Sequence, residues 1–138
     1  MKYVLDTNAV SALMKPDPGV VARLRAVGRA DAFIPHPVIA EISYGIERLP
    51  RSRRRDLLQE RFDLVRTELG RVQWTEAVSE RFGFIKAHLE QKGQRIEDFD
   101  AAIAAHALVE KAVLVTANLG HMARIPGLTV EDWQDERS

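Results

Sequence analysis

The chain has 138 residues, 46% hydrophobic and 29% charged, with 20 Lys+Arg against 20 Asp+Glu and no cysteine. That length suits one domain, 1–138, with an ordinary core, and the missing cysteine excludes a disulfide framework, a thiolate metal site and a cysteine nucleophile. No apolar run approaches the ~20 residues of a membrane helix, and Asp6 interrupts the N-terminus too early for a signal peptide. A cytoplasmic protein is expected, and zero net charge leaves any nucleic-acid binding to local patches or bound metal.

Tyr3-Val4-Leu5 reads as a buried strand that stops at Asp6. Thr7 or Asn8 is placed to cap a helix carrying Val10, Leu13 and Met14. Pro16-Asp17-Pro18-Gly19 predicts a turn, and Val20, Val21, Leu24 and Val27 a second helix. Ala32-Phe33-Ile34 is a second strand, followed by Pro37 in the first turn of a helix reaching about Leu49. Arg51 to Thr67 is helical, with Leu58, Phe62 and Val65 on one side. Val72-Gln73-Trp74 is a short strand, Thr75 to Lys92 a helix ending at Gly93, and Asp98 to Lys111 a very apolar helix. Val113-Leu114-Val115 is a strand, Asn118 to Ala123 a helical turn or two, and Leu128-Thr129-Val130 a final strand. Alternating strands and helices imply an α/β fold, a parallel sheet covered by helices on both faces.

Ligands of such sheets bind beyond the carboxyl ends of the strands. Asp6 follows the first strand, Glu41 lies on the helix after the second, and Asp98 and Asp100 begin the helix before Val113. Thr116 and Asn118 follow that strand. Asp100 shares a helical face with Ile103, Ala104 and Ala107, and the helix is apolar nearly all round. A carboxylate there is costly unless it is paired or binds metal, although the helix N-terminus favours an anion. Taken singly, Asp6 reads as a helix cap, Glu41 as a surface helix residue, Asp98 as an N-cap and Asn118 as a cap. Taken together, three carboxylates and a carboxamide without Cys make a hard-cation site suited to Mg²⁺ or Mn²⁺. Such an ion serves phosphodiester hydrolysis.

Four segments carry a family resemblance. Val4-Leu5-Asp6-Thr7-Asn8, Ile39-Ala40-Glu41-Ile42-Ser43-Tyr44-Gly45, Asp100-Ala101-Ala102-Ile103-Ala104-Ala105-His106-Ala107 and Leu114-Val115-Thr116-Ala117-Asn118 stand in order along the chain. The tail Ile125-Pro126-Gly127-Leu128-Thr129-Val130-Glu131-Asp132-Trp133 adds a fifth. In these the chain resembles the PIN domain family and, within it, the VapC-type toxins of bacterial toxin–antitoxin pairs. The resemblance implies a Rossmann-like three-layer fold and a Mg²⁺- or Mn²⁺-dependent endoribonuclease. It implies Asp6, Glu41 and Asp100 as metal ligands, with Asn118 completing the catalytic set. It further implies cleavage of tRNA or ribosomal RNA, arrest of translation, a cognate VapB-type antitoxin and a homodimer. The chain departs from the pattern in carrying Asn118 where some relatives have Asp, and His121-Met122 where an acidic–aromatic pair is common. Asp98 leaves open which carboxylate faces the ion.

The remaining features are plainer. Arg51, Arg53, Arg54 and Arg55 read first as a solvated face, with RNA phosphate or an acidic antitoxin segment as alternatives. His36 and His106 read as packing or capping residues, and Trp74, Phe82, Phe84 and Trp133 as core or interface. Two other functions compete. One is a catalytically silent PIN-like binding module, suggested by Asn118. The other is a phosphoaspartyl protein, against which stand the absence of a second Asp after Asp6 and of a Lys after the later strands.

Overall fold

A computed structural model of the chain describes residues 1–134; residues 135–138, which the single-domain expectation takes in, lie outside the described residues. In chain order the elements are β1 (Tyr3–Leu5), α1 (Thr7–Met14), α2 (Pro18–Val27), a 3-10 turn (Arg29–Asp31), β2 (Ala32–Pro35), α3 (His36–Glu47) and α4 (Arg53–Glu68). Then follow β3 (Gly70–Val72), α5 (Glu76–Gln91), α6 (Asp98–Val109), β4 (Val113–Val115), α7 (Leu119–Met122) and β5 (Val130–Glu131).

The strands form one parallel sheet in the order β3-β2-β1-β4-β5. From β1 the chain steps outward to β2 and β3, then crosses back to β4 and β5. Right-handed crossovers therefore place α1 to α4 on one face and α5 to α7 on the other. The reversal falls between β1 and β4, which pair Tyr3 with Val113 and Leu5 with Val115. The loops leaving these two strands diverge there and open a crevice.

Local sequence explains most boundaries. Asp17 caps α2 by accepting from the Val20 amide at 3.1 Å, with Pro18 in the first turn. Ser52 and Thr75 cap α4 and α5 in the same way. Gly93 closes α5 with φ +70°, a conformation that a side chain would strain. α6 is the deepest helix: Ala101 through Ala107 are all buried. Its small side chains let it approach both α5 and the sheet. The core joins Val4, Leu5, Ile34, Val38, Ile85, Leu89, Ile103 and Leu114.

Several expectations need correction. The cap of α1 is neither Thr7 nor Asn8 but Asp6, whose Oδ1 accepts from the Ala9 amide at 2.9 Å. Asp98 is not the cap of α6. Glu97 occupies that position without a side-chain bond, and Asp98 is the first helical residue, exposed and paired with Lys86. β3 begins two residues earlier than expected. α4 stops at Glu68, and Gly70 then lies against the Phe33 ring, where a Cβ would come within 2.9 Å of a ring carbon. Trp74 consequently falls outside the sheet, its indole donating to Ser79 Oγ at 2.6 Å. β5 is Val130–Glu131, because the Leu114 and Thr116 amides donate to the carbonyls of Thr129 and Glu131. Of the aromatic residues assigned to core or interface, Trp133 is buried, Phe82 half-buried, and Trp74 and Phe84 exposed.

Leu114 is fully buried in β4 beside the crevice. Truncation to Ala should lower stability by about 2–5 kcal/mol, read as a lower urea midpoint at unchanged slope. A change within about 0.5 kcal/mol would mean that this strand is not core.

Candidate metal centre

Asp6 ends β1 at the mouth of the crevice, only 6% exposed. Its backbone amide donates to the Val115 carbonyl at 3.0 Å, which ties it to the end of β4. One carboxylate oxygen caps α1, leaving the second for other work. Burial holds the Asp6 carboxyl above its ordinary value of 3.8. The Thr116 hydroxyl and the amides of Ala9 and Asn8 pull the other way, and the negative charge of Asp100 pushes further up.

Asp100 projects from the first turn of α6, half-buried. Its carboxyl is also raised, by burial first and by the charge of Glu41 second, while His121 and Arg124 oppose the shift. Glu41 stands on α3, half-buried, with Oε1 accepting from the Thr7 hydroxyl at 2.5 Å. Asp6, Asp100 and Glu41 thus form an electrostatic series, each repelling the next. Three elements from distant parts of the sequence bring them to one edge of the sheet.

Asn118 is placed differently. It is exposed at the start of α7, its amide N–H donates to Thr116 Oγ1 at 3.0 Å, and its side chain makes no cap bond. Asp98 faces Lys86 on the outer side of α6. His106 is fully buried, its ring edge-on to Trp74 and its Nδ1 bonded to the Ala102 carbonyl at 2.8 Å, so it serves packing. His36 is exposed at the first position of α3. In the basic run, Arg55 is taken by Glu47 at 2.8 Å. Two contributors escaped the sequence reading. Thr7, read as a cap candidate, instead holds Glu41; Thr116, read only as a residue at the strand end, supports Asp6. Thr7 adjoins Asp6 in the sequence, and Thr116 follows a strand that ends at the crevice; those were the only signals.

The donor set fits a hard divalent cation: carboxylate oxygens that repel one another and whose charge a cation would relieve. Among the described residues no three His, Cys, Asp or Glu side chains converge closely enough to cage an ion as they stand.

A buried carboxylate with a half-buried one beside it, at the switch point of a parallel sheet, defines an α/β domain whose working edge gathers carboxylates. Comparison with known proteins is consistent with this architecture. Residues 3–128 match the PIN domain. The chain is 33% identical over 135 residues to Ribonuclease VapC2 of Rickettsia felis, covering 96% of this chain and 98% of that protein. It is 30% identical over 133 residues to the tRNA(fMet)-specific endonuclease VapC of Salmonella typhimurium, again covering 96% and 98%. It superimposes on the crystal structure of VapBC2 from Rickettsia felis bound to a DNA fragment from their promoter. The TM-score is 0.87 at 30% identity, over 96% of this chain and 99% of that one. The chain belongs to the PIN domain family, within its VapC group.

The raised carboxyls have a consequence for stability. The folded protein holds the Asp6 proton more tightly than the unfolded chain does, so stability falls as pH rises from 3.8 through the folded-state value. Asn at position 6 keeps the cap and removes the ionisation penalty. Metal-free Asp6→Asn should therefore resist urea better than wild type at pH 7, and the gap should close below pH 3.8. Equal midpoints at pH 7 would show that the buried carboxylate carries no penalty.

Proposed function

We propose that this chain is the toxin of a VapBC-type pair: an endoribonuclease that hydrolyses RNA phosphodiester bonds with Mg²⁺, or alternatively Mn²⁺, and thereby inhibits translation. The observation that carries the reading is the burial of Asp6 beside Asp100 at the crevice, with Glu41 as the next charge in the series. The printed names of the relatives, Ribonuclease VapC2 and tRNA(fMet)-specific endonuclease VapC, supply the substrate class.

Asp6, Asp100 and Glu41 would hold the ion, with Asn118 at the rim as the fourth polar group. When bound, a divalent ion supplies Lewis acidity at the phosphoryl oxygens and a more acidic water. The protein's share is orientation. The Ala9 amide and Thr116 position the Asp6 carboxylate, and the Thr7 hydroxyl sets the Glu41 carboxylate. The N-terminal end of α6 favours charge on Asp100. Structured RNA such as tRNA or ribosomal RNA is the substrate proposed.

A VapB-type antitoxin and a second copy of the chain are the proposed partners. An apolar cleft of about 430 Å³ runs between α1, α3 and α4 and opens onto Glu41. Met14, Ile42, Ile46 and Leu58 line it and Arg54 stands at its edge, which supports docking of an amphipathic segment from an antitoxin. Among the described residues no helix is long and apolar enough to cross a membrane. The cytoplasm remains the proposed location. The silent binding module is the competing reading, supported by the absence of a ready-made ion cage among the described residues.

Purified protein should cut RNA in Mg²⁺ or Mn²⁺, stop on addition of EDTA, and lose the activity in Asp100→Asn. Full metal-dependent activity in that variant would refute the site assignment. Calorimetry without Mg²⁺ binding, alongside intact partner binding, would favour the silent module. Thr7→Val should weaken metal affinity or activity by about 10- to 100-fold, as expected for a group that orients a ligand. An unchanged value would detach Glu41 from the centre.

A further inference from the structure

Beside the carboxylate cluster, on the same edge of the sheet, lies a second cleft of about 380 Å³. It is lined by Lys86 of α5, Arg95 and Ile96 of the α5–α6 connection, Glu97 and Asp98 at the start of α6, and His121 of α7. Its charges are unequally employed. Lys86 is engaged by Asp98. Arg95 is exposed, and among the described residues no carboxylate pairs with it. Glu97, exposed at the rim, adds one opposing charge.

Arg124 stands half-buried next to this cleft and also lacks a carboxylate partner among the described residues. Its Nε donates to the His121 carbonyl at 2.8 Å. Its Nη2 donates to the Arg95 carbonyl at 2.7 Å and to His121 Nε2 at 2.8 Å. A guanidinium can only donate, so Arg124 is the donor in its contact with the His121 ring nitrogen. Of the five guanidinium N–H donors, three are engaged, and both hydrogens of Nη1 lack a protein acceptor among the described residues. The fork is therefore braced at one side and open at the other. Its charge is also felt at the carboxylate cluster, where Arg124 and His121 both oppose the upward shift of Asp100.

A braced guanidinium with a free edge and no counter-anion suits a planar anion such as phosphate, and a second free arginine beside it strengthens that preference. Resting on the ribonuclease reading, we infer that Arg124 and Arg95 form a subsite for a backbone phosphate of the RNA, neighbouring the phosphate that is cut. Such a contact carries no sequence information. It fixes the register of the strand, so that the reacting phosphodiester is presented to the carboxylates in one pose. Lys86 stays tied to Asp98 and contributes little.

The test uses the full chain and a short fluorescein-labelled single-stranded oligoribonucleotide. Binding is read by anisotropy in Mg²⁺ on the Asp6→Asn background, so that the probe is not cut. Cleavage of total RNA by the protein with Asp6 intact is measured in parallel. Arg124→Lys keeps the charge but loses the fork; Arg95→Ala removes an exposed side chain and leaves the fold alone. Arg25→Ala, exposed at the far end of α2, controls for loss of a positive charge. Each subsite variant should raise Kd by about tenfold, the effect of losing a charge-assisted bond. Arg95→Ala should also reduce the slope of log K against log salt by about 0.7. Arg25→Ala should change neither. If Arg124→Lys melts early, Arg95→Ala alone decides. RNA cleavage together with parental Kd and slope in Arg95→Ala would overturn the subsite and leave the ribonuclease reading standing. Failure of the Asp6-intact protein to bind or cut RNA would overturn that reading, and the subsite with it.

Discussion

A carboxylate held out of water, with a second, half-buried one beside it, constrains everything around it. Asp6 is buried at the end of β1, and Asp100 adds a like charge from α6. Isolated burial of a carboxylate is strongly unfavourable, so the surroundings must compensate with donors, dipoles or an ion. The amides at the start of α1, the Thr116 hydroxyl and the N-terminal end of α6 supply part of that compensation. They leave the acidic edge short of positive charge. Around the rim, His121 and Arg124 moderate the field without filling the crevice.

The topology explains why these groups meet. Outward steps from β1 and a return to β4 send consecutive loops to opposite faces, so the edge between those strands cannot be covered by the chain's own connections. α6, buried along its alanine run, fixes the height of Asp100 against the sheet. α3 brings Glu41 from the other face, and α1, capped by the site residue itself, carries Thr7 to meet it. The groove between α1, α3 and α4 continues from the same edge. One region of the molecule thus presents an acidic centre with an apolar approach on one side and a cationic approach on the other.

Much of this was legible in the residues. β1 and β4 fall on their expected positions because continuous apolar triplets ending in polar residues admit few other readings. The burial of α6 follows from alanines on every face, and Asp100 stands out against them. Where the reading failed, the deciding contact was tertiary. Gly70 pairs with Phe33 because it alone lets the ring lie close, and nothing local in Val72-Gln73-Trp74 warns against a strand. Asp98 has the right residue type for a cap, but Lys86 draws its carboxylate outward. By its sequence Asp6 reads as either a cap or a ligand. The structure makes it the cap while leaving an oxygen for a ligand role, so the two readings are compatible. Thr7, one residue on, faces a partner thirty-four positions away, a pairing that no window of sequence contains.

The pairing of Leu5 with Val115 has a further consequence, in the order in which the molecule comes into being. Asp6 is synthesised well before Asp100, Val115 and Thr116, its neighbours at the crevice. Until α6 and β4 have been synthesised and have docked on β1, the acidic edge does not exist. Contacts of such long range also form late in folding. No nascent or prematurely terminated fragment ending before β4 can assemble the centre. A chain of this design is withheld from whatever chemistry the crevice performs until the segment through β4 has been made and has docked.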